Sequence, residues 1–337
     1  MSAGTASLVA RFPRVQLAHL PTRIEPLRAL TQHLGGPTLY IKRDDCTGLA
    51  LGGNKTRKLE FLLAEALAAG ADTIVTVGGA QSNHARQTAA AAAKLGLACV
   101  LLLRQNIQPD DRSFLRSGNV LLDKLLHADV RILAVNQEIA EARERVEAEL
   151  RAAGRKPFFI PIGGATAVGC LGYVAAAEEL IAQVDDTEIH LDSIVHATGS
   201  GSTQAGLLAG LRALGNVTPV TGFTTHLDRD EQEELVWSLV TETADLLQSV
   251  ARPSRADVRA NSDYYGGVYG VAQDASIEAV RIMASTEGIL LDPIYTGVAL
   301  AGLIHQIQRG RFGPKDTVLF LHTGGTPGLF GYVERLS

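Results

Sequence analysis

Leu51-Gly52-Gly53-Asn54-Lys55-Thr56-Arg57-Lys58-Leu59-Glu60 runs a glycine turn straight into an amphipathic helix. Leu59, Leu62, Leu63, Ala66 and Leu67 recur at the spacing of one buried helical face, and Gly70 follows as its left-handed terminator. Asn54 stands where an N-cap belongs, which puts Lys55 in the first turn. The positive end of a helix disfavours an ammonium, so the Lys55 pKa is expected to fall. A neutral lysine amine is the nucleophile of Schiff-base chemistry. Taken by itself the same residue reads more readily as a solvated surface lysine.

Outward from this stretch, short apolar runs alternate with helical patterns. Strands are expected at Thr73 to Val77, Cys99 to Leu103, Val130 to Val135 and Pro157 to Pro161, then at Ser193 to Ala197, Val220 to Thr224, Ile289 to Leu291 and Thr317 to Leu321. Helices are expected between them, at Asn83 to Leu95, Gly118 to Leu126, Gln137 to Ala153, Thr203 to Leu214, Arg229 to Val250, Ser276 to Glu287 and Val298 to Arg309. Such alternation implies an α/β chain with open twisted parallel sheets covered on both faces. Gly163-Gly164 interrupts the pattern and marks a crossing between domains. The segment from Arg252 to Gly270 reads as a long loop approaching the active site.

With 337 residues, 46% of them apolar, the chain is long enough for two domains. A net charge of -5 without a basic run argues against nucleic acid and anionic membrane as partners. Cys46, Cys99 and Cys170 form no paired motif, which fits reduced thiols in the cytoplasm. No apolar stretch is expected to reach membrane-spanning length, and the N-terminus lacks a signal-peptide core.

Three strand-to-helix loops carry small polar residues where parallel α/β sheets bind ligands. The first, Gly78-Gly79-Ala80-Gln81-Ser82-Asn83-His84, offers donors at a helix N-terminus, suited to a carboxylate. The second, Thr198-Gly199-Ser200-Gly201-Ser202-Thr203, has the makings of a phosphate cradle. The third, His322-Thr323-Gly324-Gly325, places a hydroxyl that could meet a ring nitrogen. Gly48 to Thr56 fails as a nucleotide P-loop because Asn54 separates glycine from lysine. Gly199-x-Gly201 fails as a dinucleotide fingerprint because the next strand ends in Thr224-Thr225-His226, with no acid for a ribose. No metal site is expected, since neither His-Glu-x-x-His nor a cysteine pair occurs.

A reactive lysine, a phosphate cradle and a hydroxyl-bearing third loop together point to pyridoxal 5′-phosphate (PLP). Gly52-Gly53-Asn54-Lys55-x-Arg57-Lys58-Leu59-Glu60, Gln81-Ser82-Asn83, Leu290-Leu291-Asp292-Pro293-x-Tyr295 and His322-Thr323-Gly324-Gly325 resemble the D-cysteine desulfhydrase and 1-aminocyclopropane-1-carboxylate (ACC) deaminase family. The resemblance implies a fold type II PLP enzyme, similar to the tryptophan synthase β-chain and usually a homodimer. Residues 56–161 would form the small domain, and residues 1–55 with 162–337 the large one. It implies that Lys55 carries the cofactor, that Asn83 and Thr323 flank its ring, and that Gly199, Ser200, Gly201, Ser202 and Thr203 hold its phosphate. Gln81, Ser82, Asn83 and Thr296 would contact a small amino-acid substrate. Ser82, Tyr269 and Tyr295 would join Lys55 in catalysis.

Two positions depart from the family pattern: Ser202, usually glycine, would crowd the phosphate, and Val298, usually lysine, removes a charge near Tyr295. Thr296 and Thr323 stand where the deaminase branch has glutamate and leucine, which favours elimination of a good sulfur leaving group over ring opening. The implied reaction is α,β-elimination to pyruvate and ammonia, with Lys55 or a tyrosine as base. D-cysteine is the expected substrate and L-cysteate the alternative. A sulfonate would need a cationic group in the pocket, and the sequence assigns no arginine there.

Overall fold

The computed structural model describes residues 7–105, 112–134 and 137–337. Their strands form two sheets. One takes the order Ile24–Pro26 (β1), Thr38–Lys42 (β2), Thr317–Leu321 (β10), Ser193–Thr198 (β7), Val220–Thr224 (β8) and Arg259–Asn261 (β9). The other runs Asp129–Leu133 (β5), Ala98–Arg104 (β4), Thr73–Gly79 (β3) and Pro157–Ile160 (β6). All pairings are parallel except β1 with β2, an antiparallel edge that the alternation of strands and helices did not announce.

Both faces of each sheet are covered. Along β10, Val318 and Phe320 enter a core with Met283 of Asp274–Glu287 (α9) and Leu300 and Leu303 of Thr296–Gln308 (α10). Leu319 and Leu321 point the opposite way, toward Leu180 of Ala167–Thr187 (α6), Leu207 of Ser202–Ala213 (α7) and Val236 of Arg229–Leu247 (α8). Side chains alternating across a fully covered strand give a continuous apolar run, which is why these strands were legible. In the smaller sheet Ile74, Leu101 and Leu103 pack on Leu59, Leu62 and Leu63 of Lys55–Ala68 (α2) and Ala85 and Ala89 of Asn83–Lys94 (α3). Val100 and Leu102 face Ala142 and Val146 of Ile139–Ala152 (α5). Leu67, expected on the buried face of α2, is exposed, and Gly70 takes the anticipated left-handed conformation.

Three expectations change. Ile289 to Leu291 is not a strand, because β10 already has β2 and β7 on its two sides; Ile289 and Leu291 are buried without joining the ladder. The segment from Arg252 holds the short edge strand β9 as well as loop. By length and composition α6 could cross a membrane, contrary to the expectation. Here it lies against α2 and α7, and Glu178 and Glu179 on it accept hydrogen bonds from Leu8 N and the Arg57 guanidinium. The expected end of β5 at Val135 lies outside the described residues.

A buried ionic cluster fastens the N-terminal segment to this frame. Arg57 donates to both carboxylate oxygens of Asp44, each at 2.9 Å, and to Glu179 at 2.9 and 3.0 Å. Tyr173 donates to Asp44 at 2.6 Å, and Lys42 donates to Glu179. Burial raises the cost of the Asp44 charge, but Arg57 outweighs it and keeps the carboxyl below its ordinary range. Glu60, three residues on, accepts from the Leu17 and Ala18 amides at 2.8 and 2.9 Å. Two charged residues of the opening motif therefore serve architecture.

Candidate active site

A cavity of about 260 Å³ opens where the carboxyl ends of both sheets converge. Gly78, Ser82 and Asn83 reach it from the β3–α3 loop, and Thr198 to Gly201 with Thr203 from the β7–α7 loop. Thr323 and Gly324 reach it from the loop after β10, and Lys55, Tyr269 and Tyr295 line it as well. Crossover connections force strand ends and helix N-termini to meet there, so residues far apart in sequence share one wall.

Lys55 Nζ donates to Asn54 Oδ1 at 2.8 Å, while Asn54 Nδ2 donates to Thr203 Oγ1 at 2.9 Å. Asn54 thus makes no side-chain cap for α2; it ties the lysine to the first turn of α7. The Lys55 pKa is lowered to about 8, first by burial and then by the nearby Arg86 charge, with Asp292 opposing. Burial, not the helix end that the sequence suggested, is the main cause. Lys58, one turn on, donates to Ser202 Oγ at 2.8 Å and is held well below its ordinary pKa by burial. The Ser202 side chain is fully buried and turned toward Lys58 and the Gly163 carbonyl, so it does not crowd the cradle.

Ser82 caps α3, its Oγ accepting from Ala85 N at 3.1 Å, which leaves the hydroxyl proton free to donate. Asn83 Oδ1 accepts from Asn119 Nδ2 at 3.0 Å. The Tyr269 and Tyr295 hydroxyls share a hydrogen bond of 2.6 Å, with ring centroids 6.2 Å apart. Burial raises both phenol pKa values, that of Tyr295 farther, so both are protonated at neutral pH.

Two expected substrate contacts do not line this cavity. Thr296 is fully buried, its hydroxyl donating to Asp292 Oδ1 at 2.8 Å. Asp292 also accepts from the Ile294 and Tyr295 amides at 3.0 and 2.8 Å, so the pair fixes the start of α10 and the Tyr295 backbone. Gln81 lines a smaller adjoining recess, where its amide braces Phe114 O, Ser117 O and Asn119 N. Val298 is buried within α10.

Arg104 and His226 line the cavity and were not anticipated. Each sits at or just beyond the carboxyl end of a parallel strand, the one signal that would have found them. The His226 ring meets Tyr269 edge-on at 5.8 Å, and burial lowers its pKa, leaving it neutral.

The residues present fit PLP. Gly201 has φ of 79°, which turns the β7–α7 loop toward the amides at the start of α7, a ready anion site. A Cβ on Gly163 would fall 2.1 Å from Ser200 Oγ, so the cradle wall tolerates no side chain there. Ser200, Gly201 and Thr203 would hold the phosphate, Lys55 the aldehyde carbon, and Asn83 and Thr323 would flank the ring.

Comparison with known proteins agrees. The family described as pyridoxal-phosphate dependent enzyme matches residues 15–324. A D-cysteine desulfhydrase of Salmonella typhi is 44% identical over 324 residues, covering 96% of this chain and 97% of that protein. The crystal structure of an ACC deaminase homologue shares 40% identity and a TM-score of 0.88, over 98% of this chain and 97% of that one. A fungal L-serine ammonia-lyase from Rhizomucor miehei, 19% identical, has the same fold, with a TM-score of 0.66 over 96% of this chain and 100% of that one. With the family match running through nearly the whole sequence, the chain belongs to the pyridoxal-phosphate dependent enzymes and has their fold type II architecture.

Proposed function

We propose that the protein catalyses α,β-elimination of a small amino acid carrying sulfur on its β-carbon, with D-cysteine as substrate and sulfide, pyruvate and ammonia as products. The observation that carries this reading is one cavity lined by a lysine with a depressed pKa and by two protonated, hydrogen-bonded tyrosines. The naming of the Salmonella relative as a D-cysteine desulfhydrase supports the choice of substrate.

Bound PLP supplies the electron sink that acidifies the α-proton of an attached amino acid. Ser82 and Asn83, at the positive end of α3, orient the substrate carboxylate. Lys55, whose free amine has a pKa of about 8 in this cavity, is suited to taking the α-proton near neutral pH. Tyr269 and Tyr295 share one hydrogen bond and cannot act as resting bases; they donate toward the departing sulfur. Thr323 would offer the ring nitrogen a hydroxyl, and among the described residues no carboxylate lines the larger cavity to keep that nitrogen protonated, which disfavours ring opening of ACC.

The same reading places the enzyme in the cytoplasm as a homodimer, with residues 56–161 as its small domain. Free thiols at Cys46, Cys99 and Cys170 support a reducing compartment. The test is pyruvate and sulfide release from D-cysteine by the PLP-loaded protein. Turnover that is absent in Lys55→Ala supports the reading, and release of 2-oxobutyrate from ACC in its place overturns it.

A further inference from the structure

Asn119 lies in the first turn of Gly118–Leu125 (α4), fully buried against the β3–α3 loop. Its Nδ2 donates to Gln81 O at 3.1 Å and to Asn83 Oδ1 at 3.0 Å. A backbone carbonyl can only accept, so the atom that Asn119 turns to Gln81 is its amide nitrogen. The same nitrogen reaches the Asn83 side chain, which must answer with its oxygen. The Asn83 Nδ2 is thereby turned toward the loop after β10, where a Cβ on Gly325 would lie 3.1 Å from it. Thr323 and Gly324 of that loop line the main cavity together with Asn83.

The arrangement is rigid and carries a cost. Asn119 Oδ1 is buried with no partner, which a residue of purely architectural value would be expected to avoid. Gln81 Oε1 accepts from Asn119 N at 2.9 Å. Gly118 has φ of 59°, and a Cβ there would fall 2.6 Å from both Gln81 Oε1 and Pro327 O. Asn119 therefore cannot swing away from Asn83 unless the start of α4 moves. It lines neither the main cavity nor the adjoining recess, so any influence on the site passes through its neighbours.

The PLP ring carries an oxygen on the carbon next to the one that bears the aldehyde. That oxygen accepts hydrogen bonds, and most strongly when ionised. An amide flanking the ring serves it with NH2 and opposes it with C=O, two nearly isosteric ends that one rotation exchanges. Resting on the placement of the PLP ring beside Asn83 proposed above, we infer that Asn119 is a positioning residue that locks the Asn83 amide with its NH2, and not its oxygen, toward that ring oxygen. The bond between the two asparagines removes a choice that Asn83 by itself would leave open.

The test measures PLP affinity and the absorbance spectrum of the bound cofactor for Asn119→Ala and Asn119→Asp, each in the wild-type and the Asn83→Ala background. The Tm of the cofactor-free proteins is followed alongside. Asn119→Asp keeps the size of the side chain but replaces the donor by an acceptor, so the Asn83 NH2 turns to it and away from the ring. The expected result is PLP affinity about tenfold weaker in Asn119→Ala and weaker still in Asn119→Asp. Both variants move the spectrum in the direction that Asn83→Ala moves it. In the Asn83→Ala background either change weakens PLP by less than about twofold, because the residue it acts through is gone. A loss undiminished in that background overturns the inference, as does a lower Tm with affinity and spectrum unchanged. Wild-type affinity and spectrum in Asn83→Ala overturn it together with the placement of the ring. No substrate enters these readouts: with the cycle as expected, a wild type inert toward D-cysteine sinks the elimination reading and still supports this one.

Discussion

Two lysines one helical turn apart have depressed pKa values, but only one faces the cavity. Lys58 is hydrogen-bonded to Ser202 beneath the cradle, whereas Lys55 lines the chamber. With its pKa at about 8, the Lys55 amine is neutral in about a tenth of molecules at pH 7, against roughly one in three thousand for an ordinary lysine. The neutral form grows as pH rises through the pKa. The rate at which cofactor-free protein captures PLP, followed by absorbance, should therefore rise with pH and level off above about 8. A rate still climbing at pH 10 would mean an unperturbed amine. Replacing Asn54 by alanine frees both Lys55 and Thr203, so PLP affinity should weaken about tenfold or more, measured by cofactor titration. Tyr295→Phe removes one hydroxyl of the tyrosine pair and should lower kcat about a hundredfold, with a smaller effect on KM. At this scale the sequence was informative where residue chemistry and loop position agreed, as at Lys55, Ser82 and Thr323. It was silent on Arg104 because a charged residue ending an apolar strand looks like an ordinary boundary. It misled at Thr296, where a hydroxyl in a family motif turns inward to hold Asp292.

The helices and strands explain why so much of the opening motif is structural. Arg57 leaves α2 to meet Asp44 and Glu179, so Arg57→Met would leave the fully buried Asp44 carboxylate without its cation and Glu179 with Lys42 alone. The expected loss is about 3–5 kcal/mol by urea denaturation, far beyond that of an exposed ion pair. Helix α6 is long, apolar and rich in small residues because α2 and α7 press directly on its backbone. A Cβ on Gly206 would lie 2.2 Å from Cys170 O, and one on Gly172 would lie 2.5 Å from Arg57 O. Gly206→Ala should destabilise by about 1–3 kcal/mol, visible as a lower Tm. Small residues packed this closely give little hydrophobic periodicity, so α6 could not be read from the pattern that revealed the other long helices. The edge strands β1 and β9, three residues each, were missed for a related reason: alternation needs more residues than that to register.

At the scale of the whole molecule, the site exists only because two sheets converge. The β7–α7 loop and Thr323 come from the six-stranded sheet, Ser82, Asn83 and Arg104 from the four-stranded one, and Lys55 starts the helix between β2 and β3. Alternating strands and helices made the α/β class legible, and the glycine-rich loops pointed to the residues that line the cavity. The meeting of the two sheets rests on long-range packing that no local pattern carries. Reductive trapping reads out whether PLP sits in this cavity on Lys55. Borohydride treatment of the PLP-loaded protein, digestion and mass spectrometry should find the pyridoxyl group on the peptide containing Lys55 and on that residue alone. The label on Lys58, or no label in a protein that stays colourless with added PLP, would rule out Lys55 as the PLP-bearing residue.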